Sequence, residues 1–163
     1  MPDWFVVNVA DAPALRHEVG GTYVRFEPPA DRFPQFGVNI HVLNPGEPAC
    51  KYHREDAQED FLVLSGECLV IIDDQERRLR AWDFVHCPPG TDHVFVGAGD
   101  GPCAILMIGA RGEQHGVHYP VNERAAAYGA SVTSPTDEPA VAYADWPSEF
   151  TPTTLDWPLD SSG

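Results

Sequence analysis

The chain has 163 residues, of which 43% are hydrophobic and 21% charged, a length and balance that fit one globular domain and exclude general disorder. Ten basic residues against 25 acidic ones leave a formal charge of -15; such a surface repels polyphosphate and anionic lipid, so neither nucleic acid nor a membrane is an expected partner. No apolar run approaches the roughly 20 residues of a spanning helix, and 14 glycines with 16 prolines favour many short strands over long helices.

Residues 1–36 read as an N-terminal arm. Its start, apolar at Trp4, Phe5, Val6 and Val7, has no basic lead and no extended apolar core, which predicts a cytoplasmic chain. Cys50, Cys68, Cys87 and Cys103 form no CxxC pair and are expected to be small buried thiols kept reduced. Asp11 as a cap, Pro13 in the first turn and Gly20-Gly21 as a stop predict a short helix. Thr22 to Phe26 then alternates as a strand, until Pro28-Pro29 and Pro34 interrupt it, so this region is expected to end as an arm or edge strand.

From 37 to 112 the chain is a succession of short β-branched and aromatic runs: GVNIHVL, EDFLVLSG, ECLVIID, ERRLRA, DFVHCP, HVFVGA and CAILMIGA. Turn-forming clusters separate them, among them Asn44-Pro45-Gly46, Ser65-Gly66, Asp73-Asp74 and Pro88-Pro89-Gly90, at the spacing of a barrel or sandwich. The region from 113 to 163 carries helical signals instead. Asn122 can cap NERAAAY with Gly129 as its stop, and Asp137-Glu138-Pro139 can open a second turn of helix toward Trp146. This extension is expected to dock on the barrel.

Two runs in the core carry paired motifs. The first holds Gly46, then six residues, His53, Glu55, Glu59 and, after six more, Gly66; the second holds Trp82, Pro88, Gly90, His93 and Gly97. Together they resemble the two signature motifs of the cupin superfamily, over residues 37 to 110. In that pattern Glu55 stands at the place of a second histidine, the first spacer is one residue longer, Trp82 replaces a glycine and Gly97 replaces an asparagine. The resemblance implies an all-β double-stranded β-helix, a jelly-roll barrel, with the N-terminal arm and short C-terminal helices around it. It also implies a menu of metal-dependent reactions: oxygenation, decarboxylation, isomerisation and lyase chemistry.

Strand geometry gives the motif a physical reading. Side chains at i and i+2 share a face, so His53 and Glu55 point together into the barrel, accompanied by Lys51, while Arg54 faces away. Glu59 enters on the next strand and His93 from elsewhere around the wall. Two imidazoles and two carboxylates, His53, His93, Glu55 and Glu59, suit a divalent transition metal, with Fe(II), Mn(II), Zn(II) and Ni(II) all compatible. A second division of labour uses His53, Glu55 and His93 as a facial triad and frees Glu59 as a general base or an orienting group. The competing reading pairs the acids with Lys51, the only lysine, and a nearby arginine, with no metal at all.

His41 and His86 read equally as cavity-lining groups or satisfied strand histidines, and His115 with His118 as a solvated turn. Phe61, Leu62, Leu64, Val70, Ile72, Phe84, Phe95, Ile105 and Met107 are expected to fill the barrel or wall its pocket, and Trp82 to pack beneath it. Arg25, Arg32 and Arg111 are placed to reach the mouth. The expected function is a metal-dependent enzyme, dioxygenase-like or an isomerase, acting on a small organic molecule. The alternative is a non-catalytic small-molecule-binding protein. A homodimer is expected, with the apolar arm of one protomer covering an edge of its partner.

Overall fold

The runs between 37 and 112 become strands almost residue for residue. The computed structural model of the protein describes residues 4–112 and 116–159. The chain begins with β1 (Ala14–His17), β2 (Gly21–Arg25) and β3 (Phe36–Leu43), followed by the two-residue β4 (Arg54–Glu55). The central series is β5 (Glu59–Ser65), β6 (Glu67–Ile72), β7 (Gln75–Arg80), β8 (Phe84–Cys87), β9 (His93–Ala98) and β10 (Cys103–Ala110). After β11 (Val117–His118) come the single-turn helices α1 (Glu123–Ala126) and α2 (Pro139–Ala142), and last β12 (Phe150–Thr153).

A seven-stranded sheet, ordered β12-β1-β2-β3-β10-β5-β8, faces a three-stranded sheet ordered β7-β6-β9, and β11 pairs with β4. The pairings are antiparallel, and the two facing sheets make an all-β jelly-roll barrel. Side-chain alternation sends Leu43, Phe61, Val63, Val70, Phe95 and Ile105 into one buried cluster between the sheets. The opposite face of the large sheet, with Val24, Ile40, Val42 and Ala104, is covered by apolar residues from both ends of the chain, among them Val9, Phe26, Leu155 and Trp157. Each such fully buried apolar side chain contributes about 1.5–3 kcal/mol. Asp73 and Asp74, both at positive φ (43° and 66°), close the β6–β7 hairpin with the twist that a two-residue turn requires.

The C-terminal helical signals are realised. The Asn122 side chain accepts a hydrogen bond from the Ala125 amide at the start of α1, and Pro139 opens α2. The expected helix after Asp11 is not. Val9–Asp11 is a short 3-10 turn capped by Asn8, and Ala14–His17 is a strand held between β2 and β12. Ladder bonds on both sides outweigh the local cap and stop signals. Consequently β1 and β2 lie inside the large sheet and not at its edge. One edge is instead β12, from a region where no strand was expected.

Three side chains also depart from expectation. Trp82 does not pack beneath the barrel: it is 74% exposed, because its backbone adopts φ 76° in the turn before β8. Phe84 is exposed as well. Lys51 does not accompany His53 and Glu55, since residues 51–53 are not a regular strand and its side chain turns to the C-terminal extension. There Lys51 Nζ donates to Asp145 Oδ2 at 2.8 Å and to the carbonyls of Gly129 and Ser131 at 3.3 Å each.

Candidate metal centre

His53 and His93 are clamped side by side by their own backbones. The His53 amide donates to the His93 carbonyl at 3.1 Å and the His93 amide to the His53 carbonyl at 2.8 Å, which sends both side chains to one face. Their rings stand 5.0 Å apart, centroid to centroid. The turn before β9 fixes the approach of His93: the Thr91 amide donates to the Pro88 carbonyl at 3.2 Å and the Gly90 amide to the Glu55 carbonyl at 2.8 Å.

The same local structure sets the tautomer. His53 Nδ1 lies 2.8 Å from the Lys51 carbonyl oxygen and His93 Nδ1 lies 2.9 Å from that of Thr91. A carbonyl oxygen only accepts, so both Nδ1 atoms carry hydrogen and both Nε2 atoms present lone pairs. Glu59 arrives from β5, with Oε2 3.3 Å from His93 Nε2. One ligand atom from each of His53, Glu59 and His93 lies within 4.8 Å of the others. Metal bonds of about 2.0–2.2 Å to nitrogen and oxygen accommodate that spacing, so the donor set fits a divalent ion.

Glu55 stands beside this group, not inside it. Its Oε1 is 3.8 Å from His53 Nε2, and its side chain is 36% exposed against 15% for Glu59. Burial pushes His93 down to about 4, helped by the neighbouring His53, and also lowers His53. Burial, with Glu55 adding repulsion, raises the Glu59 carboxyl to about 8. Both directions disfavour charge on these groups, so uptake of a cation would displace a proton from Glu59. Lys51 does not offset these acids, being held by Asp145, and Arg111 is engaged by Glu27 and the Phe33 carbonyl.

The cluster opens into a cavity of about 540 Å³ whose walls include Phe61, Phe95, Met107, Arg32 and Arg111. Cys50 also lines it, as a neutral thiol whose burial raises its pKa. His41 lines the cavity, whereas His86 is exposed and bonded to Asp60 at 2.6 Å. His118 lies 2.5 Å from Asp137, and His115 is outside the described residues. Arg25 does not line this cavity but stacks over Tyr23. Sequence reasoning missed Asn39, which lines the same wall two residues before His41 on β3. The i, i+2 rule applied to His41 would have found it.

Residues 39–109 match the family model described as a cupin domain. This stretch of the chain is a cupin domain. Solved structures share the cupin barrel: a sugar phosphate isomerase from Silicibacter pomeroyi is 24% identical, with a TM-score of 0.55 over 87% of this chain and 82% of that one. The polyketide cyclase RemF from Streptomyces resistomycificus is 17% identical, with a TM-score of 0.58 over 69% and 83% of the two chains. A predicted oxalate decarboxylase from Thermotoga maritima is 17% identical, with a TM-score of 0.57 over 65% and 98%. No curated protein matches the sequence. At these identities the likeness is one of fold. Among the described residues no helix is long and apolar enough to cross a membrane.

Proposed function

We propose that this cupin is a metal-dependent enzyme acting on a small organic molecule, with a divalent ion held by His53 Nε2, His93 Nε2 and the Glu59 carboxylate. The observation that supports this most is the convergence of those three ligand atoms from separate parts of the chain, with both Nδ1 positions already committed to backbone carbonyls. A bound ion of this two-histidine, one-carboxylate kind supplies Lewis acidity or access to dioxygen at its open positions.

The remaining groups divide the other work. Glu55, beside His53 and partly in water, is placed to take a proton from a substrate and pass it to solvent. This reverses the division that frees Glu59, because Glu59 is the acid grouped with both imidazoles. Phe61, Phe95 and Met107 make part of the cavity wall apolar. The names of the structural neighbours span an isomerase, a cyclase and a decarboxylase, and they agree on no single reaction. Fe(II), Mn(II), Zn(II) and Ni(II) all suit the donor set.

Metal analysis of purified protein, beside His93→Ala and Glu59→Gln, tests the reading. The expected result is one ion per chain in the unsubstituted protein and none in either variant. Failure of the unsubstituted protein to take up any divalent ion would replace the enzyme with a metal-free binding protein. The same proposal includes a homodimer, supported by exposed Trp4, Phe5 and Val6 on the arm and by Trp82 and Phe84 at the free β8 edge. Light scattering that reports a monomer across dilution would remove that part alone.

A further inference from the structure

A second chamber of about 580 Å³ shares Asn39, His41 and Ala49 with the metal cavity. The two are therefore neighbours across one stretch of wall, β3 and the residue that follows Pro48. The second chamber is built differently from the first. Its lining includes Tyr23, Tyr143, Trp146 and Phe150 and, among the described residues, no Asp, Glu, Lys or Arg. The rings brace one another: Tyr23 meets Phe150 edge-on at 5.4 Å, and Tyr143 meets Trp146 at 5.3 Å. His17, also in the lining, is used up locally. Its Nδ1 accepts from the Val19 and Gly20 amides, so its Nε2 donates to the Pro147 carbonyl at 2.7 Å and the ring is neutral.

Where the chambers meet, two buried polar atoms have no hydrogen-bond partner among the described residues: Asn39 Oδ1 and His41 Nδ1. Leaving a buried donor or acceptor unpaired costs about 1–3 kcal/mol. Two such atoms on adjacent inward positions of one strand are an exception that a ligand would resolve. Their chemistry is also specific. An amide oxygen only accepts and is satisfied by a donor such as a hydroxyl, whereas burial lowers the His41 pKa to about 4 and leaves it a neutral ring able to donate or accept.

We propose that the second chamber binds the planar aromatic part of an uncharged, hydroxylated substrate, anchored by Asn39 Oδ1 and His41 Nδ1 where the chamber adjoins the metal cavity. Flat rings match the braced aromatic walls. The absence of lining charge rejects a phosphorylated or carboxylated group there, since a buried unpaired anion is costly. The proposal rests on the metal-centre reading only for what the far end of the ligand meets.

Equilibrium dialysis with 2-naphthol, naphthalene and glucose 6-phosphate tests it. The full chain is expected to bind 2-naphthol about tenfold more tightly than naphthalene, the difference of one or two hydrogen bonds to buried groups. Glucose 6-phosphate is expected not to displace it. Asn39→Leu and His41→Phe should each shrink the preference for the hydroxyl while retaining naphthalene. Equal binding of 2-naphthol and naphthalene, no retention of 2-naphthol at millimolar concentration, or displacement by glucose 6-phosphate overturns the proposal. The comparison of probes on the unsubstituted protein decides the matter even if a variant fails to fold. Chelator-treated protein and His93→Ala should bind 2-naphthol as the untreated protein does. Failure of the unsubstituted protein to take up any divalent ion, with naphthol binding intact, removes only the metal-centre reading; metal uptake without naphthol binding removes only the aromatic chamber.

Discussion

The carbonyl oxygen of Asn44 lies 2.1 Å from the point where a Cβ on Gly97 would stand. The second motif has an asparagine at this place in the cupin pattern, and here the chain has no room for any side chain. Asn44 begins the turn whose Gly46 amide donates to the Gly97 carbonyl at 2.8 Å, while the Gly97 amide donates to the Glu47 carbonyl at 2.9 Å. Gly97→Ala must push backbone against backbone. It is expected to destabilise the protein by about 2–4 kcal/mol in urea unfolding.

Trp82 is the opposite case, a large residue where the backbone suits glycine. Its φ of 76° is unfavourable for any residue with a Cβ, and its exposed ring recovers little by packing. Trp82→Gly is expected to stabilise the monomeric fold by about 0.5–1 kcal/mol in the same assay. Any loss of dimer in light scattering would then report a contact role for the ring.

Metal affinity should fall in a definite order. His53→Ala, His93→Ala and Glu59→Gln are each expected to weaken binding by about 100-fold or more, and Glu55→Gln by about tenfold, as for a group acting beside the ligands. Competition with a chromogenic chelator measures all four. Equal effects for Glu55 and Glu59 would instead make both of them ligands.

Proton release supplies an independent check. With Glu59 raised to about 8 and His93 held near 4, the metal-free site at pH 7 carries its exchangeable proton on Glu59. Binding is expected to release about one proton at pH 7 and almost none above pH 9, by calorimetry in buffers of different ionisation enthalpy. Glu59→Gln should release none. A raised carboxyl favours the metal-free fold in acid: its contribution is complete below about 4.5 and is lost as pH climbs through about 8.

His41 acts with the other sign. Its pKa falls from 6.5 to about 4 on burial, so the unfolded chain binds the proton first. Stability from this residue is complete above 6.5 and is lost as pH drops toward 4, by up to about 3 kcal/mol over the window. His41→Phe should flatten that part of the stability profile in urea titrations at successive pH values.

Lys51 ties the C-terminal extension to the barrel. Its side chain is 1% exposed while that of Asp145 is 67% exposed, and its ammonium also lies 5.3 Å from the Trp146 ring. Lys51→Ala leaves the carbonyls of Gly129 and Ser131 without this donor and opens a void, at an expected cost of about 3 kcal/mol. Asp145→Asn should cost less, because the carbonyls keep their donor. Thermal melts of the two variants check the order.

The residues alone were enough for the barrel. A two-residue period and hard turn signals are local properties, so β3, β5 and the strands from β6 to β10 were legible before any pairing was known, and so were both helical turns. Partner choice was not legible. Ala14–His17 became a strand because β2 and β12 lie on either side of it. Lys51 left the cavity because Asp145, from the end of the chain, offered it a charge. The grouping of Glu59, not Glu55, with the two imidazoles depended on the His53–His93 bridge. The wall shared by Asn39 and His41 became a feature only when the C-terminal rings closed the other side. Local chemistry is written in short stretches of sequence, but which groups share a cavity is set by contacts between distant segments.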